Sequence, residues 1–253
     1  MKMQIAVVAA TLVGCAHGTG GEAATARPAP DYAALVAAPD RLPEDRALDP
    51  GRRPAEMLAF LEVRPGMKVA ELGAGGGYTT ELLARAVGPD GAVYAENTAV
   101  VLGFVGEAWA RRLQRPAMRA VVRVDRELDD PLPPEAKGLD VVVMNAVYHD
   151  TVWMKVDRAR MDRAVFEALR PGGVFVVVDS SASPGRGVAD ARTLHRIDEQ
   201  VVRAEVEAAG FRLAAEGGFL RNPADARDWN SSPRAAGERR GTSDRFALRF
   251  AKP

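Results

Sequence analysis

Apolar positions in this chain fall in short dense runs, separated by stretches of helical spacing. Ala92-Val93-Tyr94-Ala95, Val141-Val142-Val143-Met144 and Val174-Phe175-Val176-Val177-Val178 are nearly unbroken, and Val121-Val122-Arg123-Val124 is a weaker fourth run. Runs of this kind suit strands covered on both faces, because a strand with one wet face alternates instead. Their rhythm predicts repeated β-α units and an α/β fold with a mainly parallel sheet and helices on both faces. Near the end, Asp198 to Ala209 reads as a helix closed by Gly210, Phe211 to Glu216 as a strand, and Arg245-Phe246-Ala247-Leu248-Arg249-Phe250 as a half-buried last strand. Between these strands, positions 217–244 are polar and broken by Asn222-Pro223 and Ser231-Ser232-Pro233. A loop that long is expected to be mobile or functional.

The most informative run is Val69-Ala70-Glu71-Leu72-Gly73-Ala74-Gly75-Gly76-Gly77-Tyr78, followed by the helical segment Thr79 to Val87. An apolar strand carries a carboxylate near its end and breaks into a glycine turn that opens a helix. That order puts unpaired helix N–H groups beside bare backbone, as a nucleotide-type pocket requires. A dinucleotide fingerprint G-x-G-x-x-G starting at Gly73 would need glycine where Tyr78 stands. The pattern present is E-x-G-x-G-x-G, through Glu71, Gly73, Gly75 and Gly77.

That spacing resembles motif I of the class I S-adenosylmethionine-dependent methyltransferases. Leu169-Arg170-Pro171-Gly172-Gly173 resembles the turn that precedes strand five in the same family, and the ending from Asp198 onward resembles its closing hairpin. The resemblance spans residues 41–253. It is nearest to a bacterial group with Tyr-His-Asp after strand four and Leu-His-Arg-Ile-Asp before the last helix, here Tyr148-His149-Asp150 and Leu194-His195-Arg196-Ile197-Asp198. It implies a Rossmann-like fold whose seven-stranded sheet ends in an antiparallel strand, with S-adenosyl-L-methionine as cofactor. The glycine turn, including Ala74 and Tyr78, would lie against the methionine part, with Glu71 orienting its amino group.

Further cofactor residues follow by position. An acid at the end of strand two can accept hydrogen bonds from both ribose hydroxyls. Glu96 is the candidate, yet the usual register places that acid where Asn97 stands, and neighbouring strand residues point to opposite faces. Near the adenine amino group the resemblance implies Asp125, with Glu127 as a close rival. Asn145, Tyr148, His149 and Asp150 follow strand four, at the carboxyl edge where open α/β sheets bind ligands. His149 suits a general base with Asp150 orienting it, and His195 is a second catalytic candidate among only three histidines. His149, Asp150, Asp179 and His195 are also ligand types for a metal, but no short metal-ligand spacing is present, so none is expected.

Composition narrows the function. The chain has 253 residues with 34 basic and 34 acidic side chains and net charge zero. No electrostatic footprint for nucleic acid is present, and a small-molecule acceptor is expected instead.

The amino terminus adds a complication. One early lysine precedes the apolar run Ile5 to Val13, too short to span a bilayer but suited to a signal-peptide core. Leu12-Val13-Gly14-Cys15 resembles a bacterial lipobox, and Cys15 is the only cysteine. Residues 1–14 therefore read as a lipoprotein-type signal peptide and 15–30 as a flexible tether. Residues 31–253 read as the methyltransferase-like domain. A membrane anchor through lipid on Cys15 places the protein in the cell envelope, at the outer membrane of a two-membrane bacterium; the alternative is the cytoplasm. Two functions remain open: a methyltransferase with a small acceptor, or an envelope-anchored binding lipoprotein that keeps the scaffold without methyl transfer.

Overall fold

The computed structural model describes residues 27–253. The expected signal peptide, Cys15 and most of the tether lie outside the described residues. Four short helices come first, α1 (Tyr32–Val36), α2 (Pro43–Arg46), α3 (Asp49–Arg52) and α4 (Pro54–Leu61). The alternating part follows as β1 (Lys68–Leu72), α5 (Tyr78–Val87), β2 (Ala92–Asn97), α6 (Ala99–Leu113), β3 (Val121–Asp125), β4 (Leu139–Asn145), α7 (Asp150–Trp153), α8 (Arg158–Ala168) and β5 (Leu169–Ser180). The chain closes with α9 (Glu199–Ala208), β6 (Arg212–Gly217) and β7 (Arg245–Ala251).

The seven strands form one sheet in the order β3-β2-β1-β4-β5-β7-β6. β1 to β5 are parallel, and β7 inserts antiparallel between β5 and β6. The expected Rossmann-like architecture is the one observed. The valine runs are explained by two cores: Val142, Met144, Phe175 and Val177 pack on one face with Met161 and Val165 of α8 and Val202 and Val206 of α9. Val141, Val143, Val174 and Val176 pack on the other with Leu58 and Leu61 of α4 and Leu82 and Leu83 of α5. Successive strand residues point to opposite faces, so a sheet covered twice needs apolar side chains at every position.

Two expectations change in detail. Helix α8 stops at Ala168 as the Pro-Gly-Gly sequence implies, but pairing with β4 starts at once. Leu169 pairs with Leu139, and pairing resumes at Val174 opposite Val141, so the intervening residues bulge out of the ladder. The long segment before β7 is tied down: Arg196 donates to Asp225 at 2.8 Å, Trp229 donates its indole N–H to the same carboxylate at 2.7 Å, and the guanidinium stacks 4.8 Å from the Trp229 ring. No helix among the described residues is long and apolar enough to cross a membrane.

Candidate active site

The sheet order reverses between β1 and β4, and ligands of open α/β sheets bind at the carboxyl ends of the strands at such a point. A cavity of about 880 Å³ lies there, lined by Glu71, Gly73, Ala74, Gly75, Tyr78, Asn145, His149, Asp150 and His195 among others. Nine of the expected site residues thus meet on one cavity. Gly77, Glu96, Asn97 and Asp125 are not on its wall.

The glycine turn shows why each position is bare. Gly73, Gly75 and Gly77 adopt left-handed φ values of 68°, 56° and 86°. A Cβ on Gly73 would run into the Val147 side chain at 2.7 Å, and one on Gly77 into Trp109 at 2.5 Å. A Cβ on Gly75 would meet nothing within 4 Å. Gly75 is therefore spared for the cavity, whereas its neighbours are spared for packing.

Glu71 is buried beneath the turn and accepts the Thr80 hydroxyl. Burial pushes its carboxyl up to about 7, although hydrogen bonds from Thr80 and Thr79 and the nearby Arg52 and Arg112 work against the shift. From the next strand, Glu96 Oε2 accepts the Gly73 N–H at 2.9 Å. Asn97 grips Gly75 with both ends of its amide, Oδ1 accepting the N–H at 2.7 Å and Nδ2 donating to the carbonyl at 3.1 Å. Glu96 and Asn97 thus shape the turn from below. Both amide atoms of Asn97 are engaged, whereas Glu96 Oε1 is buried with no hydrogen-bond partner among the described residues. Burial pushes Glu96 up to about 8, against the Gly73 N–H. Asp125 is exposed at the end of β3 and paired with Arg123 at 2.7 Å, while Glu127 accepts the Ala99 N–H at 3.2 Å.

Beyond the turn, Tyr78 donates its hydroxyl to Asp49 at 2.6 Å, and Asn145 donates to Thr79 at 3.3 Å. The leading helices close this side. Asp45 of α2 receives Arg112 of α6 through two hydrogen bonds of 2.6 and 2.8 Å, and Arg112 also reaches Glu81 of α5 at 3.1 Å.

The far end holds the two histidines. His149 donates its backbone N–H to Asp179 Oδ2 at 2.8 Å, and its ring Nδ1 lies 2.8 Å from Asp179 Oδ1. Its Nε2 faces His195 Nδ1 at 3.0 Å and Asp150 Oδ1 at 3.1 Å. Asp150 lies against the ring as expected, and fully buried Asp179, delivered by β5 to the other side of the ring, is a second acid that the sequence reading did not give this role. Burial works against a charge on His149, but Asp179 and Asp150 outweigh it and raise the ring to about 10. Tyr148 is turned away from the cavity, its hydroxyl 2.9 Å from both Asp162 and Glu205.

Three arginines on the wall had no signal in the sequence. Arg52 stacks over Tyr78, Arg240 comes from the segment before β7, and Arg245 begins β7 and donates to the Gly51 carbonyl. None of the three pairs with a carboxylate among the described residues. Burial lowers Arg52, and it lowers Arg245 to about 10, each further opposed by a neighbouring arginine. Arg52 is far in sequence from Arg240 and Arg245, and only the fold gathers the three.

Comparison with known proteins agrees with this architecture. A family model for protein-L-isoaspartate(D-aspartate) O-methyltransferase (PCMT) matches residues 50–182. A protein-L-isoaspartate O-methyltransferase of Aeropyrum pernix is 33% identical over 121 residues, 48% of this chain and 42% of the relative, so the chain spans less than half of that protein's length. An Aquifex aeolicus SAM-dependent methyltransferase superposes with a TM-score of 0.58 at 16% identity, covering 83% of this chain and 97% of that one. A Galdieria sulphuraria protein described as a putative sarcosine dimethylglycine methyltransferase gives 0.58 at 17% identity, covering 83% and 87%. At such identities the structural likeness is one of fold.

Proposed function

The chain belongs to the protein-L-isoaspartate(D-aspartate) O-methyltransferase family, one of S-adenosylmethionine-dependent methyltransferases, and from that premise we propose methyl transfer to an acceptor that presents a carboxylate. The observation that carries this reading is the lining of the cavity. Bare backbone at Gly75 and the Glu71 carboxylate share its wall with Arg52, Arg240 and Arg245.

The glycine turn and Glu71 fit the cofactor. Gly75 leaves open space where a side chain would stand, and Glu71 can hold a cationic amino group once ionised. Asn97 and Glu96 fix the turn from below. When bound, S-adenosylmethionine supplies an electrophilic methyl group on a sulfonium, which a carboxylate oxygen can take up without a proton being removed. Guanidinium groups suit a carboxylate because they donate several hydrogen bonds in one plane. In-line transfer needs an aligned, partly desolvated acceptor, and the arginines supply that alignment.

The A. pernix relative's name points to an isoaspartyl residue of a protein as acceptor, whereas the composition pointed to a small molecule. Both readings share the carboxylate. The test is transfer of labelled methyl to an isoaspartyl peptide and to small carboxylic acids, with calorimetry of S-adenosylhomocysteine beside it. Base-labile methyl ester is the expected product. Binding of the cofactor product with no ester formed on any carboxylate would overturn the acceptor assignment.

A further inference from the structure

We propose that His149 Nε2, Asp150 Oδ1 and His195 Nδ1 form a binding site for a divalent first-row transition ion of the zinc type. The three atoms converge, with separations of 3.0, 3.1 and 3.5 Å. A tetrahedral ion with donors at about 2.0–2.1 Å holds those donors about 3.3 Å apart, which is the middle of the observed set. Residues 149 and 150 come from the start of α7 and residue 195 from the segment before α9, so the sequence shows no ligand motif. The fold makes the site.

What surrounds the cluster points to a ligand as well. Asp179 is fully buried and takes the His149 ring Nδ1 at 2.8 Å, which leaves Nε2 as the atom presented to the cluster. A carboxylate behind an imidazole in this way is the usual outer support of a metal-bound histidine. Asp150 Oδ1 accepts the Trp153 indole N–H at 2.7 Å, and the Ser231 hydroxyl donates to the His195 carbonyl at 2.7 Å. Each of the three residues is thus held from outside the cluster. Two imidazoles and one carboxylate select transition ions over magnesium or calcium, which prefer all-oxygen shells.

All three residues line the cavity shared with Gly75 and Arg52. Three protein donors leave coordination positions open toward that space, where an oxygen of the acceptor can bind and be oriented. The site itself depends only on the cluster, not on the identity of the acceptor. Without an ion the same atoms would share protons in a chain from Asp179 through His149 to His195.

The experiment uses untagged full-length protein stripped with a chelator and titrated with Co²⁺, read by its visible d–d absorption. One equivalent is expected, displaced by Zn²⁺ but not by Mg²⁺. His195→Ala and Asp150→Asn are expected to weaken binding by more than tenfold, and Asp179→Asn by about 10–100-fold, with circular dichroism verifying the fold. Absence of saturable Co²⁺ absorption in folded wild-type protein, or binding unchanged in folded His195→Ala and Asp150→Asn, would overturn the site and leave the proton-sharing chain. Cofactor-product binding, measured on the same stripped protein, tells that failure apart from failure of the methyltransferase reading.

Discussion

Arg52 lies over Tyr78, its guanidinium carbon 4.3 Å from the ring centroid, while the Tyr78 hydroxyl is committed to Asp49. The aromatic face supports the cation without neutralising it, so the guanidinium keeps its donors for the cavity. Arg41 contrasts with it: also near Tyr78, it spends its donors on Asp49 at 2.6 and 2.8 Å.

Arg52→Met should therefore strike acceptor binding rather than the cofactor. A hydrogen bond to a charged group is worth about 1.5–3 kcal/mol, or roughly a 10–100-fold loss in kcat/KM for a carboxylate acceptor. Calorimetry of S-adenosylhomocysteine should show a smaller loss, the one that follows from removing a cation that helps to ionise Glu71. An equal loss in both would move Arg52 to the cofactor.

Two glycines of the turn should fail differently. At Gly77, a Cβ collides with Trp109 and with Arg112 at 2.5 and 2.7 Å, so Gly77→Ala should lower Tm through overpacking worth about 1–3 kcal/mol. At Gly75 the space is open, and Gly75→Ala bears only the left-handed backbone penalty of about 1–2 kcal/mol. Its methyl group enters the cavity instead. Thermal melts should rank Gly77→Ala below Gly75→Ala, and Gly75→Val should remove cofactor-product binding from a folded protein.

The buried acids give a pH signature. Burial raises Glu71 to about 7, Glu96 to about 8 and Asp162 to about 7, all above their unfolded values. Below about pH 4 both folded and unfolded chains carry these protons, and the stability the three groups contribute is fully present. As pH rises toward 7–8 the unfolded chain releases them first, so that contribution is lost. Melts between pH 5 and 7 should show stability falling as pH rises. Binding of a cationic amino group runs the other way, because it needs ionised Glu71: affinity should increase through pH 7, and Glu71→Gln should flatten the profile.

The envelope location is open to a direct measurement. Cys15 follows an apolar core and a Leu-Val-Gly segment, and we propose lipid attachment there. In a bacterial host the wild-type chain should fractionate with membranes and take up labelled fatty acid. Cys15→Ser should lose both.

The sheet was legible because its evidence is local. Val141 to Met144 and Val174 to Val178 can only be strands covered on both faces, and Glu71 with Gly73, Gly75 and Gly77 marks the turn at the ligand end. The arginine wall was not legible in this way, since Arg52 precedes the sheet while Arg240 and Arg245 stand at its end, and neither composition nor periodicity links them. The same holds for Asp179: strand five was evident, but which acid backs His149 depends on how two strand ends meet.

The segment before β7 was expected to be mobile or functional, and it is held in place: Arg196 and Asp225 pair with side chains 0% and 1% exposed. Asp225 also accepts the backbone N–H groups of Arg227 at 3.0 Å and Asp244 at 2.7 Å, so one carboxylate gathers both ends of the segment. Asp225→Ala would strand a buried guanidinium and those donors together, a loss of about 3–5 kcal/mol. Denaturant titration should show that loss, and limited proteolysis should open the chain near residues 226–240. Because Ser231 and Arg240 line the cavity, KM for the acceptor should rise. Glu71 and Gly75 stand on other elements, so cofactor-product affinity in the folded fraction should change far less.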